Sequence, residues 1–256
     1  MKTFRFANPL LRTVYKYNTG RRLLHGVTRW VQHRTVKIQT HSEELNFCGG
    51  LGYTTWRAQT LLTKEPETIQ WILEMPSDSI FWDVGANIGI YSVFAAKIRK
   101  NTVIAIEPSF VNLTTLAENV RINELSSSVL ILPLALSDFD SPAMLSMDNI
   151  EIGHSNNQIS NGTNQTELFN RVLVASIDSL IKNSKVQAPT HIKIDVDGIE
   201  LEILKGAEKS LKDVISLCIE RPVDNRKILE INEFLQAAGF RCHHEGRVNN
   251  LWSRLT

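Results

Sequence analysis

The chain has little cysteine, and what it has is scattered. Cys48, Cys218 and Cys242 form no C-x-x-C pair, which excludes a zinc ribbon and a disulfide scaffold and fits free thiols in a reducing compartment. No apolar run is long enough to span a bilayer, since the longest, Val129 to Leu136, is interrupted by Pro133. No signal peptide of charged, apolar and small residues opens the sequence, so a soluble or peripheral, cytoplasmic protein is expected. The sequons at Asn112, Asn161 and Asn164 would matter only in a secreted chain. No internal repeat is evident, which argues against a solenoid. Acidic residues are missing from one end: residues 1–42 hold nine Lys or Arg and no Asp or Glu, leaving 19 basic against 27 acidic residues beyond, although the net charge is only +1.

With 256 residues, 43% of them hydrophobic, the chain can bury a full core, and it suits one domain with an extension. We divide it into a basic helical extension over residues 1–42 and a body over 43–256, with an insertion at 138–175. In the extension, Asn8-Pro9 reads as a helix start. Leu10, Val14 and Tyr17, then Leu23, Val27, Trp30 and Val31 beyond Gly20, recur at helical spacing among arginines. Such a stripe packs on a domain or attaches to an anionic surface such as a membrane, and a mitochondrial transit peptide has a similar composition.

The body is organised around Asp83-Val84-Gly85-Ala86-Asn87-Ile88-Gly89. An apolar run, Ser79 to Trp82, leads in, and a helical pattern through Ile88, Tyr91, Ala95 and Ile98 leads out, giving strand, glycine loop and helix. Gly85 can adopt angles closed to other residues, Gly89 lets the helix approach the strand, and Asn87 suits a helix N-cap. Glu107 ends the next apolar run, 22 residues beyond Gly85, where such folds offer a carboxylate to a ribose. The middle glycine of a dinucleotide fingerprint is missing, its place taken by Asn87. Asp83 adds a negative charge that disfavours phosphates and favours the ammonium and sulfonium of S-adenosylmethionine.

The remaining segments alternate. Residues 53–75 read as a covering helix with Trp56, Leu61, Leu62, Ile69, Trp71 and Ile72 inward, Pro66 near a helix start and Pro76 as its stop. A helix over 109–125 should bury Phe110, Leu113, Ala117 and Val120, and Val129 to Leu136 reads as a fully buried third strand. After the Asn- and Gly-rich insertion, taken as short strands with a mobile loop, come a strand at His191–Ile194, a helix towards Gly206, a strand ending at Glu220 and a helix up to Gly239. Two antiparallel strands then turn at Glu245-Gly246-Arg247. This alternation marks a doubly wound, mostly parallel α/β sheet.

Ligands in such sheets bind beyond the carboxyl ends of the strands, where Asp83, Glu107, Asp195 and Asp197 all fall. Asp195 and Asp197, two apart, share a side on extended backbone. At least one is a candidate to face the transferred methyl and accept a hydroxyl proton, with capping of the next turn as the alternative role. His154 is a second candidate base because its ordinary pKa lies near neutrality. Glu220 reads as a strand end paired with Arg221, with a pocket carboxylate as the alternative, and His243-His244 as structural. Spacing assigns no third ligand to the aspartates, so no metal is expected.

The run Asp83 to Ser92, the upstream Lys64-Glu65-Pro66-Glu67-Thr68, Ala135-Leu136-Ser137-Asp138 and Lys193-Ile194-Asp195-Val196-Asp197-Gly198-Ile199-Glu200 together resemble the FkbM family of S-adenosylmethionine-dependent methyltransferases, over roughly residues 50–252. The resemblance implies a class I, Rossmann-like fold whose seven-stranded sheet has an antiparallel last strand, and methyl transfer to oxygen, often a hydroxyl of a sugar or secondary metabolite. By the same resemblance, Asp83, Gly85, Ala86, Asn87 and Gly89 would hold the methionine part of the cofactor, Glu107 the ribose, and Ser137 and Asp138 the adenine. Asp195 and Asp197 would line the methyl-transfer side. Asp197 stands where many members carry Glu, and the basic tail lies outside the match. A small molecule, a sugar or a lipid-linked glycan remains open as acceptor, and no nucleic-acid partner is expected.

Overall fold

The computed structural model describes residues 22–23, 26–27, 34–50, 52–147, 149–155, 157–160 and 168–255. Most of the basic extension, and residues 161–167 of the insertion, therefore lie outside the described residues. Among the described residues no helix is long and apolar enough to cross a membrane.

Seven strands form the central sheet. They are β3 (Ile80–Val84), β4 (Thr102–Ile106), β5 (Val129–Leu132), β11 (His191–Ile194), β12 (Ser216–Glu220), β13 (Phe240–Glu245) and β14 (Asn249–Arg254). Their order is β13-β14-β12-β11-β3-β4-β5, parallel throughout except β14, which runs antiparallel to both neighbours. Strand order reverses between β3 and β11, which opens a crevice at their carboxyl ends.

Alternation along β3 assigns the two cores. Phe81 faces α2 (Pro66–Glu74), α3 (Ile90–Phe94) and α4 (Phe110–Ile122). Trp82 and Val84 face α5 (Ile177–Ser184), α6 (Glu200–Lys205) and α7 (Asn225–Ala237). Both faces are covered, as a parallel sheet requires.

Several expectations are corrected. The strand read through Leu136 stops at Leu132, because Pro133 offers no N–H. Ala135–Leu136 (β6) instead pairs with Val174–Ala175 (β10). β5 is an edge strand, so Leu130 is exposed. Residues 53–75 make two helices, α1 (Thr54–Thr60) and α2, with Pro66 at the first position of the second, and Trp56 is exposed. The division at residue 42 falls inside a hairpin of β1 (Thr35–Gln39) and β2 (Glu44–Cys48), so residues 35–39 are strand rather than helix. The insertion is a three-stranded antiparallel sheet of β7 (Ala143–Met147), β8 (Asn157–Ser160) and β9 (Leu168–Val172).

Helix α4 buries a different stripe from the apolar one expected. Phe110 and Ala117 are exposed, while Asn112, Leu116, Asn119 and Val120 are buried. The asparagines are buried because each has backbone partners. Asn119 accepts from Cys48 N (2.7 Å) and donates to Ile88 O (2.7 Å), and Asn123 exchanges hydrogen bonds with both backbone groups of Asn46. A polar seam thus ties the first hairpin to the body.

Candidate active site

The crevice at the switch point is a partly open cavity of about 80 Å³. Val84, Ile106, Pro108, Leu134, Leu136, Leu145, Val196 and Ile199 give it apolar walls, and Arg57, Asn87, Glu107, Ser155, Asp195 and Asp197 supply polar groups.

Gly85 forms the tightest part of the floor. Its φ is +78°, and a Cβ there would lie 1.9 Å from the Asp195 carbonyl oxygen, so only glycine lets β3 and β11 close together at this point. Its N–H and that of Ala86 both donate to Ile106 O at 3.0 Å. Asn87 also takes a left-handed backbone, φ 53°. Its side chain accepts from Ile88 N and donates to His154 O (2.9 Å each), so the helix N-cap is Gly89 and not Asn87. Gly89 makes room for Leu116 of α4, whose Cδ1 would be 2.2 Å from an added Cβ, rather than for the strand.

Glu107 is buried beneath Asn87. Its Oε2 accepts from Asn87 N (2.7 Å) and its Oε1 from Ser109 N (2.8 Å), and the Asn112 side chain adds a third hydrogen bond to this carboxylate. Burial pushes its carboxyl up to about 7, partly offset by these amides. The turn above is pinned to the site. Gly153 N donates to Asn112 Oδ1 at 2.8 Å, Arg57 Nε donates to Gly153 O, and His154 N donates to Glu151 O at 3.1 Å. The Gly153–Ser155 part of the insertion is therefore held over the glycine loop, not loose. The His154 ring packs tilted against Tyr53 with centroids 5.7 Å apart, and it is Ser155 that lines the crevice.

Of the residues expected from sequence, the structure gathers Gly85, Asn87, Glu107, Asp195 and Asp197 around one space. It does not bring the others to the wall. Ala86 is buried behind the loop, Ser137 is buried with its carbonyl against Gly206, and Asp138 is exposed, so Leu134 to Leu136 form the wall where that pair was expected. Asp83 is buried under the loop, accepting from Ser92 Oγ at 2.6 Å, because alternation turns it into the α3 side of the sheet. It is not positioned to meet a ligand charge directly.

Beneath the crevice lies a buried charge cluster centred on Lys193. Its ammonium is 2.5 Å from Asp195 Oδ2 and 4.9 Å from the Tyr91 ring centre. Burial opposes the charge, yet Asp195, Glu65 and Asp83 around it hold Lys193 well above the ordinary lysine range. Burial alone would raise Asp195, but Lys193 outweighs it and keeps that carboxyl ionised. Glu220 donates a hydrogen bond to Asp195, and burial together with that neighbouring charge pushes its carboxyl up. Glu220 thus turns to Asp195 rather than to Arg221. Asp197, at φ 58°, stands on a left-handed turn instead of the extended backbone expected, and Glu200 closes that turn by accepting from Gly198 N at 2.8 Å. Arg57 is not singled out by any motif, Lys193 enters only as the first residue of the motif around Asp195, and Glu220 only as a strand end. Position could have found Glu220, since it ends β12 with the same parity as Asp195 on β11. Among the described residues no cluster of His, Cys, Asp and Glu suits a metal ion.

A seven-stranded sheet in this order, with a glycine loop after its central strand and a carboxylate ending the next, is the class I methyltransferase fold. Ribosomal protein L11 methylase from Lactobacillus delbrueckii subsp. bulgaricus shares it, with a TM-score of 0.50 at 16% identity, over 82% of this chain and 84% of that one. Residues 83–242 match the profile of the Methyltransferase FkbM domain, and the chain belongs to that family. A hexuronic acid methyltransferase, AglP, from Haloferax volcanii is 30% identical over 168 residues, which are 64% of this chain and 65% of that protein. Methyltransferase 1 from Beauveria bassiana is 22% identical over 195 residues, 66% of this chain and 75% of that protein. The chain thus spans slightly less than two thirds of the Haloferax relative.

Proposed function

We propose that the protein transfers a methyl group from S-adenosylmethionine to a hydroxyl of a sugar or glycan. The observation that carries this reading is Glu107, a carboxylate at the end of β4 that lines the crevice, beside a floor that a Cβ at Gly85 would fill. The donor set suits a nucleoside. Leu134, Leu136, Leu145 and Ile199 offer an apolar wall for a flat base, and no cluster of backbone amides is free at Gly85 and Ala86 to hold a pyrophosphate.

When bound, S-adenosylmethionine supplies a methyl group activated on a sulfonium centre. The residues of this chain would position it and the acceptor, which is the larger part of catalysis for an in-line transfer. Glu107 would hold the ribose and Asn87 the turn above it, while Asp195 and Asp197 would face the acceptor. Asp195 is the better placed to accept a hydroxyl proton, being ionised and fixed by Lys193. A sugar acceptor is supported by the hexuronic acid methyltransferase among the relatives.

Thermal shift of the full chain with S-adenosylmethionine, and separately with NADH, tests the cofactor. A ligand at a hundredfold its Kd stabilises by about 2.7 kcal/mol, which is a shift of several degrees. Stabilisation by S-adenosylmethionine alone is expected, and a shift with NADH but none with S-adenosylmethionine refutes the proposal. Mass spectrometry of glycans made with and without the protein should show a gain of one methyl. Cofactor binding without any such gain would favour a binding module.

A further inference from the structure

We propose that Glu220 and Asp195 form a carboxyl pair that holds one proton between them, and that this pair orients a neutral hydroxyl of the acceptor and takes up its proton. The inference rests on the methyl-transfer reading and deepens it by specifying the acceptor atom and the route of the proton.

The pair follows from register. On β11 and β12, Lys193 lies opposite Cys218, and one pleat further towards the carboxyl ends the same offset brings Glu220 beside Asp195. Two ionised carboxylates can only accept hydrogen bonds, so a bond between these side chains requires a proton. Lys193 fixes its location. The ammonium contacts Asp195 Oδ2, which stabilises the ionised form there and leaves the proton on Glu220. Of the charges acting most strongly on Glu220, Lys193 is the cation, and Asp195 and Asp197 are acids. Asp83 on β3, Glu65 before α2 and Asp195 share Lys193; Lys64 pairs with Glu65 at 2.7 Å; Asp197 adds another acid; and Tyr91 and Cys218 are kept neutral by burial.

The acceptor end of the crevice is lined by two acids, Asp195 and Asp197, with the Lys193 ammonium turned beneath them, while Arg57 lines the same crevice and Lys227 Nζ donates to Gly198 O at 2.6 Å beside Asp197. A hydroxyl can donate to the ionised Asp195, which a carboxylate oxygen has no proton to do. On a sugar acid the product is then an ether and not an ester. As the new O–CH₃ bond forms from an oxygen lone pair and the C–S pair stays on the sulfur of the sulfonium donor, the hydroxyl proton passes to Asp195. The pair, now carrying two protons, releases one to solvent. Glu220 acts through Asp195 and is a positioning residue.

Isotope-edited infrared spectroscopy of the ligand-free full chain, with ¹³C-labelled glutamate, reads the proton directly. Near pH 8, about one unit above the titration of Glu107, a protonated glutamic acid carbonyl band is expected in the wild type and should be lost in Glu220→Gln. Asp195→Asn removes the neighbouring charge, so the same band should titrate away at lower pH. A Glu220→Gln spectrum identical to wild type, or an unmoved titration in Asp195→Asn, overturns the pair. S-Adenosylmethionine affinity should change by no more than about threefold in Glu220→Gln, because Glu220 is not in the ribose site. Loss of binding in the wild type itself would instead count against the parent reading. Methyl groups recovered from treated glycans should survive mild alkali, as ethers do; their release as methanol overturns the hydroxyl assignment.

Discussion

The ionisation of Glu107 should control nucleoside affinity near neutral pH. Burial lifts this carboxyl from the usual range to about 7, while Asn87 N and Ser109 N hold its two oxygens in place. Ribose hydroxyls donate to the carboxylate, so the ionised form is the one that binds. Affinity should rise with pH through about 7 and then level off. One unit below that value only about a tenth of the protein is ionised, and Kd should be about tenfold weaker, equivalent to 1.36 kcal/mol per unit. The free protein shows the opposite sign. A carboxyl whose folded pKa is raised contributes stability that is full below its unfolded value and lost as pH rises through about 7, a change on the order of 3 kcal/mol. Calorimetric titration with adenosine isolates the effect, since adenosine carries the ribose but no group titrating in that window. Glu107→Gln should bind weakly and without pH dependence, because its amide nitrogen must face one of the two backbone donors. A flat profile for the wild type, or tighter binding in acid, would refute the assignment of Glu107 to the ribose.

Three further perturbations test the scaffold. Gly85→Ala places a methyl against the Asp195 carbonyl at positive φ, and denaturant titration should show a loss of about 2–4 kcal/mol, with unchanged stability contradicting the close approach. Lys193→Met leaves Asp195, Asp83 and Glu65 without their shared cation, so a loss of about 3–5 kcal/mol at neutral pH should shrink near pH 5, where those acids can take protons. An equal loss at both pH values would mean that packing, not charge, dominates. Asn119→Ala strands Cys48 N and Ile88 O, and chemical denaturation should register about 1–3 kcal/mol per orphaned group, against less than about 0.5 kcal/mol if the seam is decorative.

The order of strands and helices was legible because apolar runs and their glycine, proline and acidic punctuation carry it. Gly85 and Glu107 were found by spacing, since backbone closeness at one and a carboxylate at a strand end are demands that few residue types meet. What stayed hidden was decided by neighbours distant in sequence. Asp83 looks like a loop charge until alternation turns it beneath the sheet. Asn112 and Asn119 count as polar in any periodicity, yet α4 buries them because the turn at Gly153 supplies a partner to Asn112, and β2 and the glycine loop supply partners to Asn119. Arg57 reaches the crevice only because α1 folds across it, and Glu220 meets Asp195 only through the pairing of β11 with β12. Leu134 to Leu136 displaced Ser137 and Asp138 from the crevice wall because the break at Pro133 sends the chain across to β10.

A crystal structure with S-adenosylhomocysteine tests the central claim most directly. The account predicts the ribose hydroxyls within hydrogen-bonding distance of Glu107, with the ligand lying over Gly85. A crevice without the adenosyl group at saturating ligand, or one that takes a dinucleotide diphosphate at the glycine turn, would contradict it.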